Sequence, residues 1–379
     1  MENIWIEVLQ SPDQSDIPTP GASGYPWQAM FACQIGILDH QSWTGLRWGF
    51  NAGVLFEEAL DRQRLFLESQ HSFDSNLGVE YPEIRAIAFR YITTSDGILV
   101  VLIGKVSAKT KEQVEISANE YYHELKSTFP YDYSLSPVVS KNEFDEITGS
   151  ELFTESDDKT DIVQVRRCEM PIPVDRNLPY LQGLWQSSGR AHEQIWRSLG
   201  SAQSKILVNI VLRPTILYDN DLAIYSGLFS EITNYQPGEI SQKTFALYKE
   251  WYENFTTRRL TPWKKYYYLQ VHVVSNTSIN ENFLRNVGTT LTQNLQVQNA
   301  KTQTLHGYQI VRPSFKRKKD WGTKIYHLNL TSWGSQLANP RLSELADLEE
   351  VYSVVRIPYS PPGSEELGFK YTPVKRQEG

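Results

Sequence analysis

Two cysteines in 379 residues, Cys33 and Cys168, are too few and too far apart for a disulfide framework or a metal knuckle. Such sparing use fits a reducing cytosol, so a cytoplasmic location with both thiols packed and inert is expected. No stretch approaches the ~20 consecutive apolar residues that a bilayer crossing needs, and the N-terminus MENIWIEVLQSPDQSD has no basic segment ahead of an apolar core. A membrane span and an export signal are both unexpected on that ground. Positive charge is also scarce: 37 Lys and Arg stand against 44 Asp and Glu, a formal net charge of -7. That balance disfavours a globally basic nucleic-acid binder, because neutralising phosphates takes a concentrated cationic face.

Catalytic patterns are missing as well. A nucleotide-driven motor needs GxxxxGK[ST], whose glycine-freed amides wrap the phosphates while Lys and a hydroxyl reach them and their magnesium. The nearest imitation, Gly104-Lys105, is followed by Val106 and reads as the end of a strand. His192-Glu193 resembles the start of a helical zinc motif, but four residues after His192 stands Trp196, so the second ligand on that face is lacking. None of the 7 histidines pairs at ligand spacing, no GxSxG elbow occurs, and Asp219 and Asp221 sit where turn and helix-cap preferences already explain them. No catalytic, cofactor-binding or metal-ligating residue is assigned, and a non-enzymatic protein without cofactor is expected.

Apolar residues are plentiful: 40% hydrophobic and 12% aromatic, with 10 Trp and 21 Tyr, give enough surface to offset the ordering entropy of the chain. The clearest unit runs over residues 84–138. IRAIAFRYI and ILVVLIGKV flank a TSDG turn, whose Gly97 suits the positive φ of a tight hairpin. Thr110 and Gln113 then have capping-box spacing, and Val114, Ala118, Tyr121, Leu125 and Phe129 form one helical stripe before Pro130. The same grammar returns twice. KILVNIVL precedes Leu222, Tyr225, Leu228 and Ile232, and Tyr266–Val274 precedes a Ser278/Glu281 cap with Phe283, Val287 and Leu291; Gly307–Val311 adds a strand. Recurrent strand-then-capped-helix units predict an α+β fold of ferredoxin-like, α/β-plait layers with antiparallel sheets. The acid-rich segment 141–159 reads as an exposed linker, which divides the chain into an N-terminal α+β domain, 1–150, and a C-terminal half, 151–379, ending in a proline-rich arm. Trp43, Trp48 and Phe50 read as core aromatics at strand spacing.

Two stretches suggest binding. Phe315, Lys316, Arg317, Lys318, Lys319 and Trp321 interleave cations with rings, as a single strand of nucleic acid would require, and Arg258-Arg259 and Lys264-Lys265 add charge in the same half. A solvated loop is the favoured reading of the run, because four adjacent cations without a flanking fold motif are a weak signal. The second stretch is VYSVVRIPYSPPGSEELGF, where Pro358, Pro361 and Pro362 stiffen the backbone and Val354, Arg356, Ile357 and Tyr359 offer anchors for a docking partner. Its alternative reading is an ordered arm packed on its own domain.

The passage IRAIAFRYITTSDGILVVLIGKVSAKTKEQVEISANEYYHELKSTFPYDYSLSPV, continued by KILVNIVLRPTIL, KYYYLQVHVVS, GYQIVRP and RIPYSPPG, resembles the region preceding the motor in bacterial HerA/FtsK-like, DUF87-type ATP-binding proteins. The likeness covers about residues 80 to 370. It departs at Ser364, where a second glycine is usual, and the chain ends at Gly379, where the resembling proteins begin their nucleotide-binding core. The resemblance implies an accessory region without its ATPase, acting with a separately encoded P-loop ATPase; self-association is a further expectation. A stand-alone single-stranded nucleic-acid-binding protein is the competing expectation.

Overall fold

A computed structural model of the chain describes residues 3–17, 25–37, 52–72, 84–154, 160–171, 180–187, 191–234, 246, 249–250, 253, 256–259, 264–293, 307–332, 340–359 and 367–369. The first half carries β1 (Ile6–Leu9), β2 (Trp27–Gly36), α1 (Ala52–Ser72), β3 (Ile84–Thr94), β4 (Gly97–Ala108), α2 (Lys111–Thr128), β5 (Ser134–Pro137), α3 (Lys141–Thr148) and α4 (Glu151–Thr154). The second carries β6 (Asp161–Arg167), β7 (Glu169–Pro171), β8 (Tyr180–Gln182), α5 (His192–Gly200), β9 (Ile206–Thr215), α6 (Asp219–Asn234), β10 (Tyr266–Ser275) and α7 (Glu281–Leu291). It ends with β11 (Tyr308–Val311), α8 (Lys318–Tyr326), α9 (Pro340–Glu344), β12 (Leu345–Asp347) and α10 (Leu348–Val354).

Ten strands form one antiparallel sheet in the order β1-β2-β4-β3-β9-β10-β6-β11, with β5 beside β1 along the edge of β2 and β12 beside β6 along β10; β7 and β8 make a separate ladder. The expected α+β class with antiparallel sheet is therefore what forms. Its internal order is duplicated. Strands β2, β3, β4 and β5, with α1 and α2 between them, lie in the order β5-β2-β4-β3; strands β6, β9, β10 and β11, with α5 and α7, lie in the order β11-β6-β10-β9. Both are βαββαβ units of ferredoxin-like topology. They join edge to edge through β3 and β9, paired from Ile87↔Leu212 to Ile92↔Leu207, so one sheet crosses the whole protein. A further helix follows each unit, α3 after β5 and α8 after β11.

Alternation on the strands assigns the two faces. Ile87, Phe89 and Tyr91, Val208 and Ile210, and Val271 and Val273 face α1, α2, α5, α7 and α10 in the largest apolar cluster. Helix α2 presents the predicted stripe: Val114, Ala118, Tyr121 and Leu125 are buried, and the Thr110 side chain accepts from Gln113 N. Gly97 has φ 122 at the hairpin, as its turn demands. Gly104 lies inside β4 rather than at its end, and there the Phe31 ring occupies the space of a side chain, between the edges of Tyr121 and Tyr122.

Three expectations need correction. Residues 141–154 are not an exposed linker: Ser140 caps α3, Gly149 closes it with φ 70, and Phe144, Ile147 and Leu152 are buried while the acids face outward. An amphipathic helix explains the same composition. The third helix starts from Asn280, whose side chain accepts from Asn282 N, not from Ser278. The C-terminal arm is core, as detailed below. Trp43, Trp48 and Phe50 lie outside the described residues.

Candidate functional site

The opposite face of the sheet carries apolar clusters of its own, and a buried polar row runs between them. Arg90, Asn209, His272 and Gln164 stand in one row across β3, β9, β10 and β6, each directly opposite the next, and all are buried. Arg90 donates to Asn209 Oδ1 (2.9 Å), to Thr148 O (2.8 Å) at the end of α3, and to Ile325 O and Tyr326 O (3.1 and 2.9 Å) at the end of α8. A cation thus sits where two helix C-termini concentrate unsatisfied carbonyls and partial negative charge. Burial brings its pKa down to about 10, so the guanidinium remains charged at neutral pH.

Nearby, Lys105 is fully buried and bonds Asp13 (3.1 Å) and Asn329; Asp13 also meets Arg213. Burial lowers Lys105 to about 8, whereas the Arg213 and Lys105 charges hold the Asp13 carboxyl far below the usual range against the cost of its burial. These groups tie residues 13–16 and the 327–331 segment to the sheet. Lys105 is an internal ion-pair member, with neither the solvent access nor the glycine-rich loop of a phosphate site.

A second buried network anchors the C-terminal elements. Arg167 donates to Glu350 Oε1 (2.8 Å) and to the carbonyls of Ser343 and Leu345, Arg259 lies 2.5 Å from Glu350 Oε2, and Arg258 and Lys264 pair with Asp347. Asp347 and Glu350 complete a capping box on α10. Arg258, Arg259 and Lys264 are therefore engaged internally, and Lys265 lies 3.1 Å from Glu68; none of them extends the basic run at 315–319.

That run itself is divided by the structure. Phe315 is 75% exposed, Lys316, Arg317 and Lys319 are exposed, and Lys318 is half-buried. Trp321 is wholly buried against Ile162, Leu207, Val274 and Ile325, so it cannot stack on a base. Its helical spacing to Ile325 turns it toward the sheet.

The predicted docking anchors also lie inside. Val354, Arg356, Ile357, Pro358 and Tyr359 are buried; Pro361 and Pro362 lie outside the described residues. Beyond α10 the backbone is extended, yet its polar groups are satisfied by side chains rather than by a strand. Gln63 both donates to Ile357 O and accepts from Ile357 N (3.0 Å each), Tyr91 donates to Arg356 O (2.7 Å), and Tyr133 to Ile357 O (3.3 Å). His192 bonds Val354 O (3.0 Å), and Tyr359 donates to Glu193 (3.1 Å) while packing on Phe56 and Trp196. The His192-Glu193 pair thus serves the arm. At Leu367–Phe369 the chain again packs on the core, with Leu367 and Phe369 buried, and Ile98 N donates to Gly368 O beside the β3–β4 hairpin.

At that same end of the sheet lie two open grooves sharing the 202–204 loop. One, of about 730 Å³, is lined by residues including Thr94, Asp96, Glu143, Glu146 and Lys205; the other, of about 650 Å³, by residues including Ser201, Gln203, Ser278 and Asn280. Among the described residues no group of three or more His, Cys, Asp or Glu side chains is arranged to hold a metal ion. No helix of the described residues is long and apolar enough to cross a membrane. Both cysteines are buried, and burial pushes Cys168 up to about 11, away from thiolate chemistry. No family model matches the chain, and no curated protein matches it either.

The row Arg90–Asn209–His272–Gln164 was accessible to sequence reasoning. Each member is a polar residue with an apolar neighbour on either side inside a β run (AFRYI, LVNIV, QVHVV, IVQV), a pattern that signals a buried polar layer. The side chains that read the arm carry no comparable signal.

Proposed function

We propose that this chain is a non-catalytic, cytoplasmic assembly or substrate-recruiting subunit that acts with a separately encoded HerA/FtsK-type ATPase, in DNA transfer, mobile-element biology or defence. The supporting observation is the placement of the arm. The passage that carries the likeness to the ATPase-linked proteins lies across α1 and α5, elements of both repeats, and Leu367–Phe369 pack beside the hairpin and the two grooves. A partner bound at that end would hold a platform braced by both halves. Because Val354, Ile357 and Tyr359 are spent on the core, contacts with the motor fall on exposed groups at that end of the sheet: the hairpin tip at Ser95 and Asp96, the 201–205 loop, and Glu143 and Glu146. Co-purification tests the reading. Tagged protein from its native host should bring down a P-loop ATPase, and reversal of Glu146 to Lys should weaken that recovery without lowering the melting temperature. Recovery of no such ATPase, with none encoded by adjacent genes, removes the proposal.

A single-stranded nucleic-acid role rests on one observation, the exposed Phe315 beside Lys316, Arg317 and Lys319. Reversing the charges at 316–319 should weaken binding and flatten its dependence on salt. Unchanged binding, or none by the parent protein at low salt, ends that reading.

A further inference from the structure

Three atoms of the buried polar row meet no hydrogen-bond partner among the described residues: Asn209 Nδ2, His272 Nδ1 and Gln164 Oε1. They belong to consecutive positions across the sheet, Asn209↔His272 and His272↔Gln164, on one face, and all three side chains are essentially inaccessible. Orphaned polar atoms at such depth lose their hydration with nothing to replace it, so native proteins rarely leave them so.

Their roles are set by the bonds made on their other sides. Asn209 Oδ1 accepts from Arg90 Nε, a group that can only donate, so the amide nitrogen of Asn209 is directed away from Arg90. Gln164 Nε2 approaches the Glu344 carboxylate at 3.4 Å, which leaves its oxygen as the unmatched atom. His272 Nε2 lies 3.0 Å from Thr331 Oγ1. That hydroxyl donates to Gln270 Oε1 (3.3 Å), so it accepts from His272, and the ring is the neutral Nε2–H tautomer with a lone pair on Nδ1. The neutral ring agrees with its surroundings, since burial and the Arg90 charge hold its pKa near 3. One donor and two acceptors therefore stand unmatched at three successive positions of the row.

We infer that an ordered water belongs to this site, accepting from Asn209 Nδ2 and donating to His272 Nδ1 and Gln164 Oε1. A single water supplies two donors and an acceptor, and buried waters typically make about three such bonds. An anion offers no proton to the two acceptors, and a metal ion would face the Asn209 N–H. The water extends the Arg90 network across β10 to β6, giving the joint between the repeats a continuous polar spine.

Two measurements on the intact chain test this. A crystal structure at about 1.8 Å should show one density peak within ~3.2 Å of all three atoms. Absence of the peak, or direct bonding of the three side chains to one another or to other protein groups, overturns the assignment. Nitrogen-15 chemical shifts of the His272 ring at pH 7 should report protonation at Nε2 and a bonded lone pair at Nδ1. A proton on Nδ1 would equally overturn it.

Discussion

Truncation after Glu350 removes Val351, Val354, Val355, Ile357, Tyr359, Leu367 and Phe369, all buried in the helical-side core. At ~1.5–3 kcal/mol for each large side chain taken from water, the lost burial is on the order of 10 kcal/mol, even after a reduction of about a third for compactness in the unfolded chain. The whole stability of a typical domain is only about 5–15 kcal/mol. The loss also strands Gln63, Tyr91 and His192, which satisfy the arm's backbone. The truncated protein should therefore fail to fold cooperatively. A gentler perturbation gives a measurable number. Ile357→Ala keeps those backbone bonds but opens a cavity, at a cost of about 2–5 kcal/mol. In equilibrium urea unfolding with a slope of ~3 kcal/mol per molar, the midpoint should fall by about 1 M at unchanged slope. A truncated chain that melts near the parent temperature, together with an unmoved midpoint for Ile357→Ala, would refute the reasoning and restore the arm as a free docking segment.

Other perturbations probe the remaining structure. Gly104→Ala puts a methyl 2.2 Å from Phe31 Cζ, with Tyr121 and Tyr122 blocking retreat of the ring, so it should cost about 1–3 kcal/mol in the same urea assay; an unchanged midpoint would mean that the ring has room to move. Glu350→Gln leaves Arg167 and Arg259 buried without their carboxylate and should destabilise by about 3–5 kcal/mol, whereas Glu349→Gln, at an exposed pair, should change stability by less than about 1 kcal/mol. Acid should unfold the protein through its buried histidines. Burial depresses His192 and His272 to about 3, so the unfolded chain binds more protons as pH falls below 6.5, and each ring removes about 1.4 kcal/mol of stability per pH unit until its folded pKa is reached. Urea midpoints at pH 7.5, 6 and 5 should decline with a slope that lessens in His192→Gln; a flat profile contradicts the burial of both rings.

Much of the fold was legible because it is local. The hairpin at Gly97, the stripe from Val114 to Leu125 and the β runs before each helix depend on neighbours within a dozen residues. The pairing of β3 with β9 depends on residues more than a hundred positions apart, and nothing in either run distinguishes an edge that pairs from one that faces solvent. Segment 141–154 was misread for a different reason. Its acids dominate the composition, but Phe144, Ile147 and Leu152 fall on one side of two short helices, and spacing rather than composition decides burial. At the arm the residues fit both a docking segment and an arm packed on its own domain, because proline reports backbone stiffness, not exposure. Its environment is made by Gln63, Tyr91, Tyr133 and His192, four residues that no sequence pattern links to Ile357. At Trp321, adjacency to the basic run suggested a shared surface, although its four-residue step to Ile325 marks the inward face of α8.

The joint between the repeats explains why the polar row is where it is. Two ferredoxin-like units meeting edge to edge could pair in several registers, since apolar strands slide by two residues with little change in burial. Arg90 removes that freedom. Opposite Asn209 it makes a directed bond across β3 and β9, and its remaining donors meet the last carbonyls of α3 and α8, the helices that follow the two repeats. A slip of two residues would place Arg90 opposite Leu207 or Val211 and leave a buried guanidinium short of a partner, at a cost of several kcal/mol. The same residue therefore fixes the register of the sheet and the seating of one helix from each half. The arm, lying across α1 and α5 on the other face, couples the two halves a second time.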